Sequence, residues 1–143
     1  MSTLPDGFCY SHRIGFVDTD AMGVVHHSNY LRYFEQARVE WLRHNELNML
    51  HYPHADMTLA VLETRIRHFA PARFDDVIRI FTQARSERLR VHFQYKVLAA
   101  KSDQILAVGH TILVPIDGEF KPRRLPEAMA THLEAKSWTE TWL

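Results

Sequence analysis

The sequence has little that would tie it to a secreted, membrane-spanning or nucleic-acid-binding class. It has one cysteine, Cys9, so no intrachain disulfide can form, and a reducing compartment, the cytoplasm, is the expectation. Cys9 lies near the start of the chain and reads as incidental. An excess of either charge is also missing. Lys plus Arg and Asp plus Glu stand at 17 each, which argues against nucleic acid as a partner, because such a surface shows a basic excess. No apolar run approaches the roughly 20 residues that span a bilayer. The opening MSTLPDGFCYSHR lacks an apolar core of signal-peptide length. There is no repeat, low-complexity tract or linker. What is present is ordinary for a globular protein: 46% hydrophobic and 24% charged residues. Residues 1–143 are expected to form a single domain with a real core.

The periodicities divide the chain into one long helix and several strands. Tyr10 to Val17 reads as a short strand with Ile14 and Phe16 on one face. A loop follows from Asp18 to His27, and Ser28 or Asn29 is the expected N-cap. The helix is predicted over Asn29 to His44, with Tyr30, Phe34, Ala37 and Trp41 at helical spacing and Arg32, Glu35, Gln36, Glu40 and Arg43 opposite. Asn45 is the expected C-cap, and residues 45–57, broken by Pro53, read as a connecting loop. Four strands are predicted: Thr58 to Phe69, Asp76 to Ser86, Leu89 to Ala99 and Gln104 to Ile116. Ser86-Glu87-Arg88 and Lys101-Ser102-Asp103 mark antiparallel hairpins. Asp117-Gly118 marks a turn, and Pro126 to Lys136 a short closing helix. One long aromatic helix against one antiparallel sheet is an α+β arrangement. It leaves the other face and the edges of the sheet uncovered, which self-association would remedy.

The chemistry concentrates in FVDTDAMGVVHHSNYLRYFEQAR, residues 16–38. An acidic loop there runs directly into the helix start. An isolated D-x-D is most often a turn or cap. A carboxylate beside a helix N-terminus is also a catalytic arrangement, because free backbone N–H groups can receive developing negative charge. Asp18 reads as structural, holding loop N–H groups, with a charge that would raise the pKa of Asp20. Gly23 allows a backbone conformation or an approach that a side chain would block. His26 and His27 are expected to point apart and not to share a metal. Tyr30, Phe34 and Trp41 read as core, and Glu35 is placed to pair with Arg38. His51 and His54 are a weak metal signal and read as solvated. No metal site and no cofactor is expected.

The run Asp-Thr-Asp-Ala-Met-Gly-Val-Val-His-His-Ser-Asn-Tyr, followed by Tyr-Phe-Glu-Gln-Ala-Arg, resembles the signature of the 4-hydroxybenzoyl-CoA thioesterase family, including the YbgC-type acyl-CoA thioesterases. The element order extends the resemblance over roughly residues 10–130. It implies the hot-dog fold, an antiparallel sheet wrapped around a central helix, and a homodimer or homotetramer with its sites at the dimer interface. It further implies hydrolysis of an acyl- or aryl-CoA thioester, with Asp20 as nucleophile or general base and the backbone at His27 polarising the carbonyl. Gly23, Val25, His26, Asn29, Tyr30 and Glu35 are the positions expected around the substrate. The aromatic that often stands at the position of His27 in the hydroxybenzoyl enzymes is absent, which weakens the case for that acyl group. Coenzyme A carries a 3′-phosphate and a pyrophosphate, and Arg85, Arg88 and Arg90, or Arg123 and Arg124, are candidates to hold them. Three other readings stand beside this one. They are a thioesterase acting on acyl carrier protein, a hydratase, whose Asn-Pro and His pattern is missing, and a non-catalytic acyl-binding protein.

Overall fold

The computed structural model describes residues 4–5, 7–47, 58–135, 138 and 140–143. His51 and His54 lie outside the described residues, as does most of the connecting loop. Five strands, β1 (Phe8–Arg13), β2 (Thr58–His68), β3 (Val77–Glu87), β4 (Arg90–Ala99) and β5 (Ile105–Ile116), form one antiparallel sheet in the order β1-β3-β4-β5-β2. The 16-residue helix α1 (Asn29–His44) packs across one face, and α2 (Glu127–Ala135) follows the last strand.

Alternation decides which residues meet the helix. On β4, Val91, Phe93, Tyr95 and Val97 point inward and are fully buried. From α1, Phe34 stacks on Tyr95 with ring centroids 4.2 Å apart, and Trp41 meets Phe93 edge-on. Gly109 of β5 sits opposite Tyr95 in register, and a Cβ there would lie 2.4 Å from Phe34 Cε2. The glycine therefore sets how closely the helix can approach the sheet. Met129 and Leu133 of α2 are buried, and its His132 packs edge-on against Trp41.

The first strand departs from its predicted bounds. It spans Phe8–Arg13, and Ile14 and Phe16 do not share a face: Ile14 is buried, whereas Phe16 is 76% exposed. The chain leaves the sheet at Ile14, whose N–H donates to the carbonyl of Asp76, and then winds one 3₁₀ turn over Phe16–Asp18. The outer face of the sheet is also less bare than expected. Trp138, Glu140 and Trp142 contact it through Arg85, Gln94, Lys96 and His110.

Candidate active site

The loop after the 3₁₀ turn is tightly specified. A β-bridge between Thr19 and Val25 closes it. Within it the N–H of Asp20 donates to Val24 O and the N–H of Gly23 to Asp20 O, both at 2.9 Å. Gly23 has φ +77°, and nothing lies within 4 Å of a Cβ built there, so glycine serves the backbone conformation and not a close approach. The Asp20 carboxylate accepts the N–H of Met22 on Oδ1 at 2.9 Å. No other hydrogen bond to it is formed among the described residues. The 70–76 segment buttresses the loop from behind. Val24 bridges to Arg73, and Val25 N–H donates to Ala72 O at 2.8 Å. The Val25 side chain is buried in the core.

Asp18 ties this loop to the helix. Its carboxylate accepts the Tyr33 hydroxyl at 2.9 Å and the Gly15 N–H at 3.3 Å, and stands 3.8 Å from His12 Nε2. Its carbonyl accepts the Asn29 side-chain amide and the His26 N–H, both at 2.9 Å. Burial, then the bond to Asp18, pushes the Tyr33 hydroxyl pKa far above its ordinary value. The Tyr33 hydroxyl is therefore a fixed donor. Asp18 is structural, as its sequence position implied.

The helix start differs from the expected capping. Ser28 has helical φ and ψ and makes no side-chain cap, its hydroxyl bonding instead to His26 Nδ1 at 2.8 Å. Asn29 turns its amide back to Asp18. The N–H groups of Asn29, Tyr30 and Leu31 are taken up by carbonyls of residues 26, 27 and 28. The N–H of His27 has no acceptor among the described residues. It stands at the positive end of α1, beside a loop whose geometry is locked by Asp18. The His26 and His27 rings stack with centroids 4.2 Å apart and do not point apart, because the backbone is already turning into the helix. Among the described residues no group of three or more His, Cys, Asp or Glu could hold a metal ion.

Tyr30 is buried, with its ring edge-on to both Tyr33 and His68. Glu35 is exposed and does not pair with Arg38, whose guanidinium donates to the buried Tyr95 hydroxyl at 3.1 Å. Both residues instead line a cavity of about 160 Å³ with Val39, Leu42, Thr58, Leu59 and Leu113. The arginines divide. Arg88, at φ +58° in the β3–β4 turn, and Arg124 line one cavity of about 360 Å³ with Ser86, Leu89, Leu125, Ala130 and Glu134. Arg85 lies on the outer face, paired with Glu87 and stacked on Trp138. Arg90 is exposed at the start of β4, and Arg123 is half-buried, its N–H bonded to Pro115 O.

Residues 14–133 match the family model described as the thioesterase-like superfamily. The chain belongs to that superfamily. The acyl-CoA thioester hydrolase YbgC of Escherichia coli O6:H1 is 30% identical over 129 residues, covering 89% of this chain and 96% of that protein. A putative esterase of Aquifex aeolicus is 34% identical over 104 residues, 73% of this chain and 80% of that protein. Among solved structures, a 1,4-dihydroxy-2-naphthoyl-CoA thioesterase from Synechocystis superposes with TM-score 0.81 at 28% identity, over 88% of this chain and 94% of that one. The fold is the hot-dog fold, and the resemblance to the YbgC-type enzymes holds. The chain is an enzyme of the thioester-hydrolase type.

Sequence reading passed over two residues of this thioesterase that the structure brings to the loop. His68 ends β2 against Tyr30. Burial, and then the neighbouring His27, lower its pKa. It could have been found by counting inward positions along β2 from Ile66. Tyr33, held by Asp18, lies three residues beyond Tyr30 and so on the same side of the helix.

Proposed function

We propose that this chain hydrolyses the thioester of an acyl- or aryl-coenzyme A. The observation that carries the reading is a loop carboxylate, Asp20, held by the Met22 N–H, in the same loop as the open N–H of His27 at the N-terminus of α1, where Asp18 holds His26 and Asn29. The carbonyl oxygen takes the His27 N–H. Charge developing on that oxygen is met by the helix terminus. The Asp20 carboxylate drives the attack, either on the carbonyl carbon itself or by taking a proton from water. The leaving thiolate, with a free-thiol pKa of about 8.5, needs little protonation. Tyr30, His26, Asn29 and Gly23 shape the loop around this centre. Arg88 and Arg124, which line one cavity with Glu134, are the candidates to hold coenzyme A phosphates. A thiol-release screen over aromatic, short and long acyl-CoAs tests the reading. Turnover of none of them would refute it.

The active form in this reading is at least a dimer. Among the described residues β2 is bonded to β5 alone, so one side of an 11-residue strand is an open edge, with Val61, Leu62 and nearby Phe69 half exposed. Such an edge invites pairing with a second copy of the chain. Sedimentation at micromolar concentration should give at least twice the monomer mass. A monomer there would contradict it.

A further inference from the structure

On the outer face of the sheet, opposite the helix, a buried amide is committed to the end of the chain. Gln94 is 1% exposed. Its Nε2 donates to Gln83 Oε1 at 2.7 Å and to the carbonyl of Glu140 at 2.8 Å, and its Oε1 accepts the N–H of Trp142 at 3.1 Å. One side chain thus takes the C=O of one residue and the N–H of the residue two further on. Two tryptophans four positions apart flank this grip. Arg85 lies over the Trp138 ring at 4.7 Å, and Lys96 over Trp142 at 5.0 Å. His110 meets Trp138 edge-on, with its Nε2 2.9 Å from His92 Nδ1. Phe81 and Val108, which flank Lys96 in register, are 5% and 3% exposed. An amide, two cations and an imidazole touch the segment. It joins no strand ladder or helix among the described residues.

We propose that this face is a docking site for a peptide with tryptophans four residues apart, and that its occupant is the chain's own residues 138 and 140–143, held as a detachable ligand. Three features support that occupant. Gln94 engages the segment through backbone atoms, so its grip is not tied to one side chain. The two aromatic rings meet the two cations that β3 and β4 present. Glu140 brings a negative charge to a face carrying Arg85 and Lys96. The site lies on strands whose inner sides carry Tyr95 and Phe93, away from Asp20, so it is independent of the hydrolytic reading.

The test uses the full chain. Hydrogen exchange should show the Trp142 amide protected, but exchanging faster than the amides of β3 and β4, because the segment opens without the sheet. Gln94→Leu should cut Trp142 protection by about tenfold or more and leave β3 and β4 protection in place. A labelled KSWTETWL peptide should bind saturably to Trp138→Ala/Trp142→Ala, in which the chain's own tail is weakened. It should bind wild type at least tenfold more weakly, since there the tail competes. Adding Gln94→Leu should abolish the difference. A Trp142 amide with no protection, or one that exchanges only with global unfolding, would overturn the proposal. So would failure of the peptide to bind a folded double variant. If that variant does not fold, exchange on the wild type decides.

Discussion

Replacing Asp20 with asparagine separates chemistry from architecture. The loop uses one carboxylate oxygen structurally, Oδ1 accepting the Met22 N–H at 2.9 Å. Asparagine offers the same acceptor in the same place, and the other hydrogen bonds of Asp20 are backbone bonds that the substitution leaves alone. The melting temperature should therefore stay within about 2 °C of wild type. What asparagine cannot supply is a charged oxygen that attacks or takes a proton. A positioned base contributes about 100- to 10,000-fold, so kcat should fall by that factor, about 3–5 kcal/mol of barrier. Asp20→Ala removes the turn acceptor as well and should add a stability loss of about 1 kcal/mol. Continuous thiol release from the best acyl-CoA, measured beside thermal melts, reads both quantities. Asp20→Asn with wild-type kcat would refute the assignment. A large melting shift in the asparagine variant would refute the structural half of the argument.

Other expectations follow from separate parts of the molecule. Arg88→Ala/Arg124→Ala should raise KM for acyl-CoA with kcat nearly unchanged, and the effect should shrink with salt and vanish for an acyl-pantetheine. An unchanged KM would remove these residues from nucleotide binding. Gly109→Ala drives a Cβ into the buried Phe34 ring and should cost about 2 kcal/mol, lowering the melting temperature by about 5–10 °C. Gly118→Ala, where nothing lies within 4 Å, should leave it in place. Equal melts for the two would show that Phe34 yields freely. Burial, then surrounding charges, among them Arg85, hold the pKa values of His92 and His110 below the ordinary 6.5. The unfolded chain therefore binds protons first as pH drops. The stability they contribute is full above about 6.5 and is lost as pH falls through their lowered values. His92→Gln should flatten the melting profile between pH 7.5 and 5, and a profile parallel to wild type would count against this.

The helix and sheet were legible wherever one face is buried and the other wet. Tyr30, Phe34, Ala37 and Trp41 fix α1 at its observed bounds, and alternation on β4 identifies the residues that meet it. Burial on both faces of β4 and β5 was visible only in part. His92 and Gln94 look like solvent positions until the closing segment folds over them. The Asp18–Tyr33 bond and the Asn29 tether span 15 and 11 positions, beyond the reach of local pattern. Arg38 was matched with Glu35 because helix spacing permits it. The buried Tyr95 hydroxyl, which also bonds to Thr111, took its guanidinium instead. The stacking of His26 on His27 depends on where the helix begins, and boundaries are where periodicity says least.

The loop that carries Asp20 is closed by its own Thr19–Val25 bridge but is anchored to the body of the fold from outside. Ile14, Val24 and Val25 are bonded to Asp76, Arg73 and Ala72, and those residues stand between β2 and β3. The chain must therefore close a loop of about 50 residues, α1 included, before the carboxylate has a fixed address. In refolding, thiol release should appear no earlier than the ordering of β2 and β3, however early α1 forms. Synthesis from the N-terminus makes Asp20 before the residues that give it a position.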